Sequence, residues 1–142
     1  MMKESRGQVS LEYLLIFAVS LIILVAFTMP FLVQSMDMAF DVSSSIGAKS
    51  DLSKMTHAIK QVYGEGQGSK QTVTIDADVP VKIDVANNHV SSKIKLKNGD
   101  NKVVKMNVKS TLKTNSFKLN KGMHTFVIEW PVGSKNMIIS EK

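Results

Sequence analysis

The stretch that decides the reading runs Arg6-Gly7-Gln8-Val9-Ser10-Leu11-Glu12-Tyr13-Leu14 and then continues, without a charge, to Met29-Pro30-Phe31-Leu32-Val33. From Leu14 to Val33 only Ser20 and Thr28 carry polar side chains. Twenty such residues in a helix span about 30 Å, the thickness of a bilayer's hydrocarbon core. Lys3 and Arg6 stand on the short upstream side, so the positive-inside rule places that end in the cytoplasm and the remainder outside. A cleaved secretory signal fits poorly. Its apolar core is about 7–15 residues and ends at a small-x-small site, whereas this run is longer and closes on Thr28-Met29-Pro30-Phe31-Leu32-Val33. A plain signal anchor passes the same hydropathy test, so the junction before the run has to separate the readings.

At that junction Glu12 is a lone carboxylate at the mouth of an uncharged helix. An acidic side chain costs roughly 2.5–3.5 kcal/mol at mid-bilayer and less near the interface. It either rests among headgroups or awaits a cation. Gln-x-Ser-x-Glu-Tyr directly after Gly, followed by a long apolar helix, resembles the class III signal peptide of archaeal type IV pilin-like proteins. The resemblance covers about 25 residues, from Arg6 to roughly Phe31. It implies a prepilin peptidase cutting between Gly7 and Gln8, with Gln8, Ser10 and Glu12 as the processing and assembly motif. The family often has Leu four residues past the Glu, and this chain has Ile16. Cleavage there would leave a free amine at Gln8, cationic near neutral pH, and Glu12 lies one helical turn away on the same face. The resemblance further implies that Glu12 neutralises the amine of a neighbouring subunit, because two unmatched charges in an apolar bundle cost several kcal/mol each.

Outside lipid, about 20 apolar side chains at roughly 1.5–3 kcal/mol each need another apolar partner. Copies of the same helix supply one, with Ala18, Ser20 and Ala26 permitting close approach. Pro30 removes one backbone hydrogen bond, so a kink or break is expected there.

Residues 34–63 read as an amphipathic helical extension. Leu52, Met55, Ile59 and Val62 form a stripe at spacings of three and four, and Met36, Phe40 and Ile46 are expected on the same side. Ser43-Ser44-Ser45 and Gly47 are poor helix formers and suggest a bend. Gly64 to Ser69 are the glycine-rich part of a loop over 64–71; no strand precedes it and no Gly-Lys-Ser/Thr follows, so it is not a phosphate loop. From residue 72 to 142 the period becomes two. Expected strands are Thr72–Asp76, Val79–Val85, Val90–Lys97, Lys102–Ser110, Phe117–Leu119, Met123–Trp130 and Asn136–Ser140. Asn98-Gly99 signals a hairpin and Lys121-Gly122 a second turn. Pro80 suits an edge or a strand start. The fold class is α+β: a cleaved leader over 1–7, an apolar membrane and filament-core helix over 8–33, the helical extension, and a small antiparallel β head of one sheet with five to seven strands.

Composition narrows the function classes. The 142 residues are 44% hydrophobic and 21% charged, with no Cys and 18 basic against 12 acidic residues, a net charge of +6. Disulfide frameworks and thiolate chemistry are thereby excluded. Every basic residue after Arg6 is a lysine, which argues against nucleic-acid readout by guanidinium forks. Lys93, Lys95 and Lys97 alternate with Ile94 and Leu96 as on a solvated strand face, with a patch for an anionic partner as the second reading. His57, His89 and His124 lack metal-ligand spacing. Asp76, Asp78 and Asp84 lack a calcium-loop pattern and read as strand-end carboxylates, with cation binding left open. No nucleophile–base motif appears. The resemblance implies a structural pilin subunit, and the residues add no cofactor, catalytic or nucleic-acid motif to that expectation. By resemblance, its partners are other pilin subunits, a prepilin peptidase, an assembly ATPase with its membrane platform, and the membrane before assembly. The alternative is a low-copy pilin-like priming factor or a membrane-anchored binding protein.

Overall fold

The computed structural model describes residues 4–142, with side chains from Gly7 onward, so Lys3 and the Arg6 side chain lie outside the described residues. One helix, α1, covers Glu4–Glu65. Seven strands follow: β1 Lys70–Ala77, β2 Val81–Ala86, β3 His89–Lys95, β4 Asn101–Asn107, β5 Asn115–Leu119, β6 Gly122–Glu129 and β7 Ile138–Glu141. The chain divides after Ala39 into two units.

The first unit is the apolar part of α1. Its large apolar side chains from Val9 to Val33 are between 45% and 70% exposed, and the helix is long and apolar enough to cross a membrane. Its hydroxyls are already satisfied. Ser20 donates to the Ile16 carbonyl at 2.7 Å, Thr28 to that of Leu24 at 2.9 Å and Ser35 to that of Phe31 at 2.7 Å. Such back-bonding to the preceding turn removes the penalty of carrying these groups into an apolar medium. The helix runs through Pro30 without interruption; proline withholds one N–H, and its neighbours on both sides keep helical geometry.

In the second unit, from Phe40, α1 continues through Ser43-Ser44-Ser45 and Gly47 without leaving the helical assignment. Leu52, Met55, Ile59 and Val62 are all buried in the core, each contributing roughly 1.5–3 kcal/mol by leaving water. The expected extension of that stripe is corrected. Met36, in the first unit, is exposed, and Phe40 and Ile46 are 52% and 63% exposed. Angular position explains the latter two. At roughly 100° per residue, Ile46 lies about 160° round the helix from the middle of the stripe and Phe40 about 80°. The positions that continue the stripe upstream are Asp41, Ser45 and Ala48, small or polar and at least half covered. Ser45 donates to the Asp41 carbonyl at 2.7 Å, and Asp41 Oδ1 accepts the Lys97 backbone N–H at 2.9 Å. The helix stops where Gly66 takes φ +89°. Its N–H closes on the Val62 carbonyl at 3.0 Å, and the Ser69 hydroxyl serves the same carbonyl at 3.0 Å, a left-handed C-terminal cap.

All seven expected strands form, antiparallel, but in two sheets where one was expected. Sheet A has the order β1-β6-β7 and sheet B the order β4-β3-β2-β5. Sheet B is thus a contiguous insertion between β1 and β6. Asn98-Gly99 makes the β3–β4 hairpin, with Gly99 at φ +91° and the Leu96 N–H donating to the Asp100 carbonyl at 2.8 Å. Lys121-Gly122 lies at a turn, yet β5 pairs with β2 and β6 pairs with β1, so the chain changes sheets there. Pro80 stands just before β2, where its missing N–H harms no ladder. Ile75, Phe126, Ile128 and Ile139 of sheet A share one core with Ile83, Val85, Val90 and Leu119 of sheet B and with the α1 stripe. Phe117 meets Phe126 edge-on at 5.1 Å between the sheets. Tyr63 stacks on Trp130 at 5.7 Å, fixing the end of α1 against the end of β6.

Candidate functional site

The candidate site is the start of α1. Gly7, Gln8, Ser10 and Glu12 are all helical and exposed. Gln8 and Glu12, four apart, share a face one turn from each other, and Ser10 stands on the opposite side. Gly7 is informative because the fold does not ask for it. A Cβ built there meets no atom within 4 Å, and its φ is outside the left-handed region. A glycine inside a helix costs about 0.5–1 kcal/mol relative to alanine, and no packing among the described residues offsets that. From Leu14 to Val33 the helix offers an exposed apolar surface interrupted only by Ser20 and Thr28, with nothing titratable between Glu12 and Asp37 except Tyr13.

Residues 5–31 match the family model of the class III signal peptide. The chain is therefore type IV pilin-like in this segment and carries the signal that prepilin peptidases process. A class III signal with this apolar helix points to membrane anchoring followed by pilus assembly and surface display. No curated protein and no solved structure gives a significant match to the chain.

The remaining sequence-level candidates fall into separate places. Among the described residues no group of three or more His, Asp or Glu side chains is arranged to hold a metal ion. Asp84 lies on the outer face of sheet B, paired with Lys82 at 2.8 Å and accepting the Ser116 hydroxyl at 2.7 Å; those hydrogen bonds hold its carboxyl below the usual range. Asp76 and Asp78 instead line a small cavity with Asp51 of α1 and with Ser92 of β3. Burial pushes the Asp51 carboxyl up, opposed by its hydrogen bond to Lys54 and helped by the charges of Asp78 and Asp76. Sequence reading missed Asp51, since only the packing of α1 against β1 brings it there.

His57 is exposed on α1, and His89 Nδ1 lies 3.1 Å from the Asn88 side-chain oxygen. His124 is better placed than its spacing foretold. Nδ1 is 2.7 Å from Glu141 Oε1 and Nε2 is 2.8 Å from the Asn120 carbonyl. Both ring nitrogens face acceptors, which only the doubly protonated ring satisfies. The Glu141 carboxylate, then the Asn120 carbonyl, raise its pKa accordingly. This pair ties β7 to β6 and is structural in character.

Proposed function

We propose that the chain is the structural subunit of an archaeal type IV-like pilus, cut between Gly7 and Gln8 and polymerised through α1, with the head supporting surface adhesion. The observation that carries the reading is the class III signal peptide over residues 5–31, continuous with a helix whose apolar side chains are exposed in the single chain. Such a surface is stable in lipid before assembly and against copies of itself afterwards. The N-terminal end stays inside and the head outside during insertion. An assembly ATPase and its membrane platform supply the work of extraction. The subunit acts by packing and carries no catalytic role.

Gly7 fits this reading, since its small size serves no contact among the described residues and is left to satisfy the peptidase. Glu12 then pairs with the amine created at Gln8 on a neighbouring subunit, matching two charges that the apolar bundle would otherwise strand. Pro30, helical here, is the position at which α1 yields when helices pack at filament density. Ile46, on the side of α1 away from the buried stripe and 63% exposed, gives the same helix further apolar contact with neighbours.

Glu12→Ala tests the proposed pairing. In cells carrying this variant, the account expects processed chain in the membrane and sheared filaments reduced at least about tenfold, the yield change expected from stranding a buried charge. Normal filament yield would remove the pairing from the account. Copy number in native sheared filaments separates the principal subunit from a low-copy priming factor.

A further inference from the structure

Sheet B turns one face to the core and the other to solvent, and the register decides what stands together on the solvent face. Lys82 of β2 is directly opposite Lys118 of β5 on one side and Lys93 of β3 on the other. Three ammonium-bearing side chains therefore form one row across three neighbouring strands, in steps of about 4.8 Å. Lys95, two residues along β3, and Lys105, opposite Ser91, flank the row on the same face. Like charges placed directly opposite one another destabilise a sheet. A face needing only solubility is served as well by alternating Lys with Glu or Thr. Here five lysines share the face with one carboxylate, Asp84, and Lys82–Asp84 is the only salt bridge on it among the described residues.

The residue types also narrow the ligand. The face carries no Arg, Phe, Tyr or Trp. Nucleic-acid recognition relies on guanidinium forks and aromatic stacking platforms, and neither is present. Lysine ammonium groups act as point charges with little directional demand. They suit a flexible polymer that repeats a carboxylate or sulfate along its length and offers no base to stack.

We propose that the outer face of sheet B binds an acidic polysaccharide, with the row Lys118–Lys82–Lys93 at its centre. The proposal goes beyond the pilin reading and stands apart from it, because binding is measured on the unpolymerised chain. The experiment uses the full chain in neutral detergent, with immobilised polygalacturonate as the probe and neutral dextran beside it. The native chain is expected to be held by polygalacturonate at low salt, released as salt rises, and not held by dextran. The variant Lys82→Gln/Lys93→Gln/Lys118→Gln is expected to bind at least about tenfold more weakly, since removing several charge contacts multiplies their losses. A control with the same net charge, Lys49→Gln/Lys60→Gln/Lys135→Gln, is expected to change binding less than about twofold, because it leaves the local field of the row intact. Relief of cross-strand repulsion outweighs loss of the exposed Lys82–Asp84 pair, since such pairs contribute little, so the row variant should melt at or above the native temperature. Equal losses in both variants, no retention of the native chain, or a row variant that melts lower would each overturn the proposal. So would tighter binding to duplex DNA or to phosphatidylserine vesicles than to polygalacturonate.

Discussion

Two stretches of α1 are built from the same kinds of residue and meet opposite fates. From Val9 to Val33 every large apolar side chain is exposed, whereas Leu52, Met55, Ile59 and Val62 are fully buried. The difference is the pattern. In the second stretch apolar residues recur on one face and polar ones occupy the others, so one β head satisfies them. In the first they surround the helix, and no single domain of this size covers a helix that is apolar all round. The chain thus contains its own solvent for one stretch and must find one, in lipid or in copies of itself, for the other.

The sharpest way to break this contrast is to delete equivalent side chains on the two sides of it. Phe126→Ala, at the centre of the head core, is expected to lower head stability by about 3–5 kcal/mol in denaturant unfolding of the detergent-held full chain. Gly66→Ala comes next. A Cβ there touches nothing, but φ +89° is a left-handed conformation costing an L residue about 1–2 kcal/mol, and the same measurement should read that loss.

The His124–Glu141 pair gives a smaller, pH-dependent effect. Because its folded pKa is raised, the pair contributes fully below the ring's ordinary value of about 6.5 and loses its contribution as pH rises through the folded value. The melting temperature should therefore fall more between about pH 6 and pH 9 in the native chain than in His124→Gln. Equal slopes would remove the pair from the account. Phe27→Ala, the exposed counterpart of Phe126→Ala, should change head stability by less than about 0.5 kcal/mol while lowering filament yield. A large loss of head stability would erase the division between the two stretches.

Much of this contrast was legible in the residues. The 20-residue uncharged run and its Gly7-Gln8-x-Ser10-x-Glu12 junction are local features, as are the alternations that mark the seven strands. Long-range pairing is not local. Period two says which face of Phe117–Leu119 is buried, but not that β5 turns away from β6 to join β2. Hydrophobicity alone also misplaced Phe40 and Ile46, since the helical angle puts them off the stripe and gives its upstream positions to Asp41, Ser45 and Ala48. The lysine row has the same origin. Lys82, Lys93 and Lys118 look unremarkable in sequence, and only the register sets them side by side. The neighbourhood of Asp51 with Asp76 and Asp78 likewise exists only once α1 lies along β1.

The central claim is that the exposed stretch is kept while the residues before it are removed. Intact mass and N-terminal sequencing of the chain recovered from sheared surface filaments test it most directly. The account predicts a mature chain that begins at Gln8 and retains the whole apolar helix. A filament or membrane chain that still begins at Met1 or Met2, or one that begins beyond Val33, would contradict it.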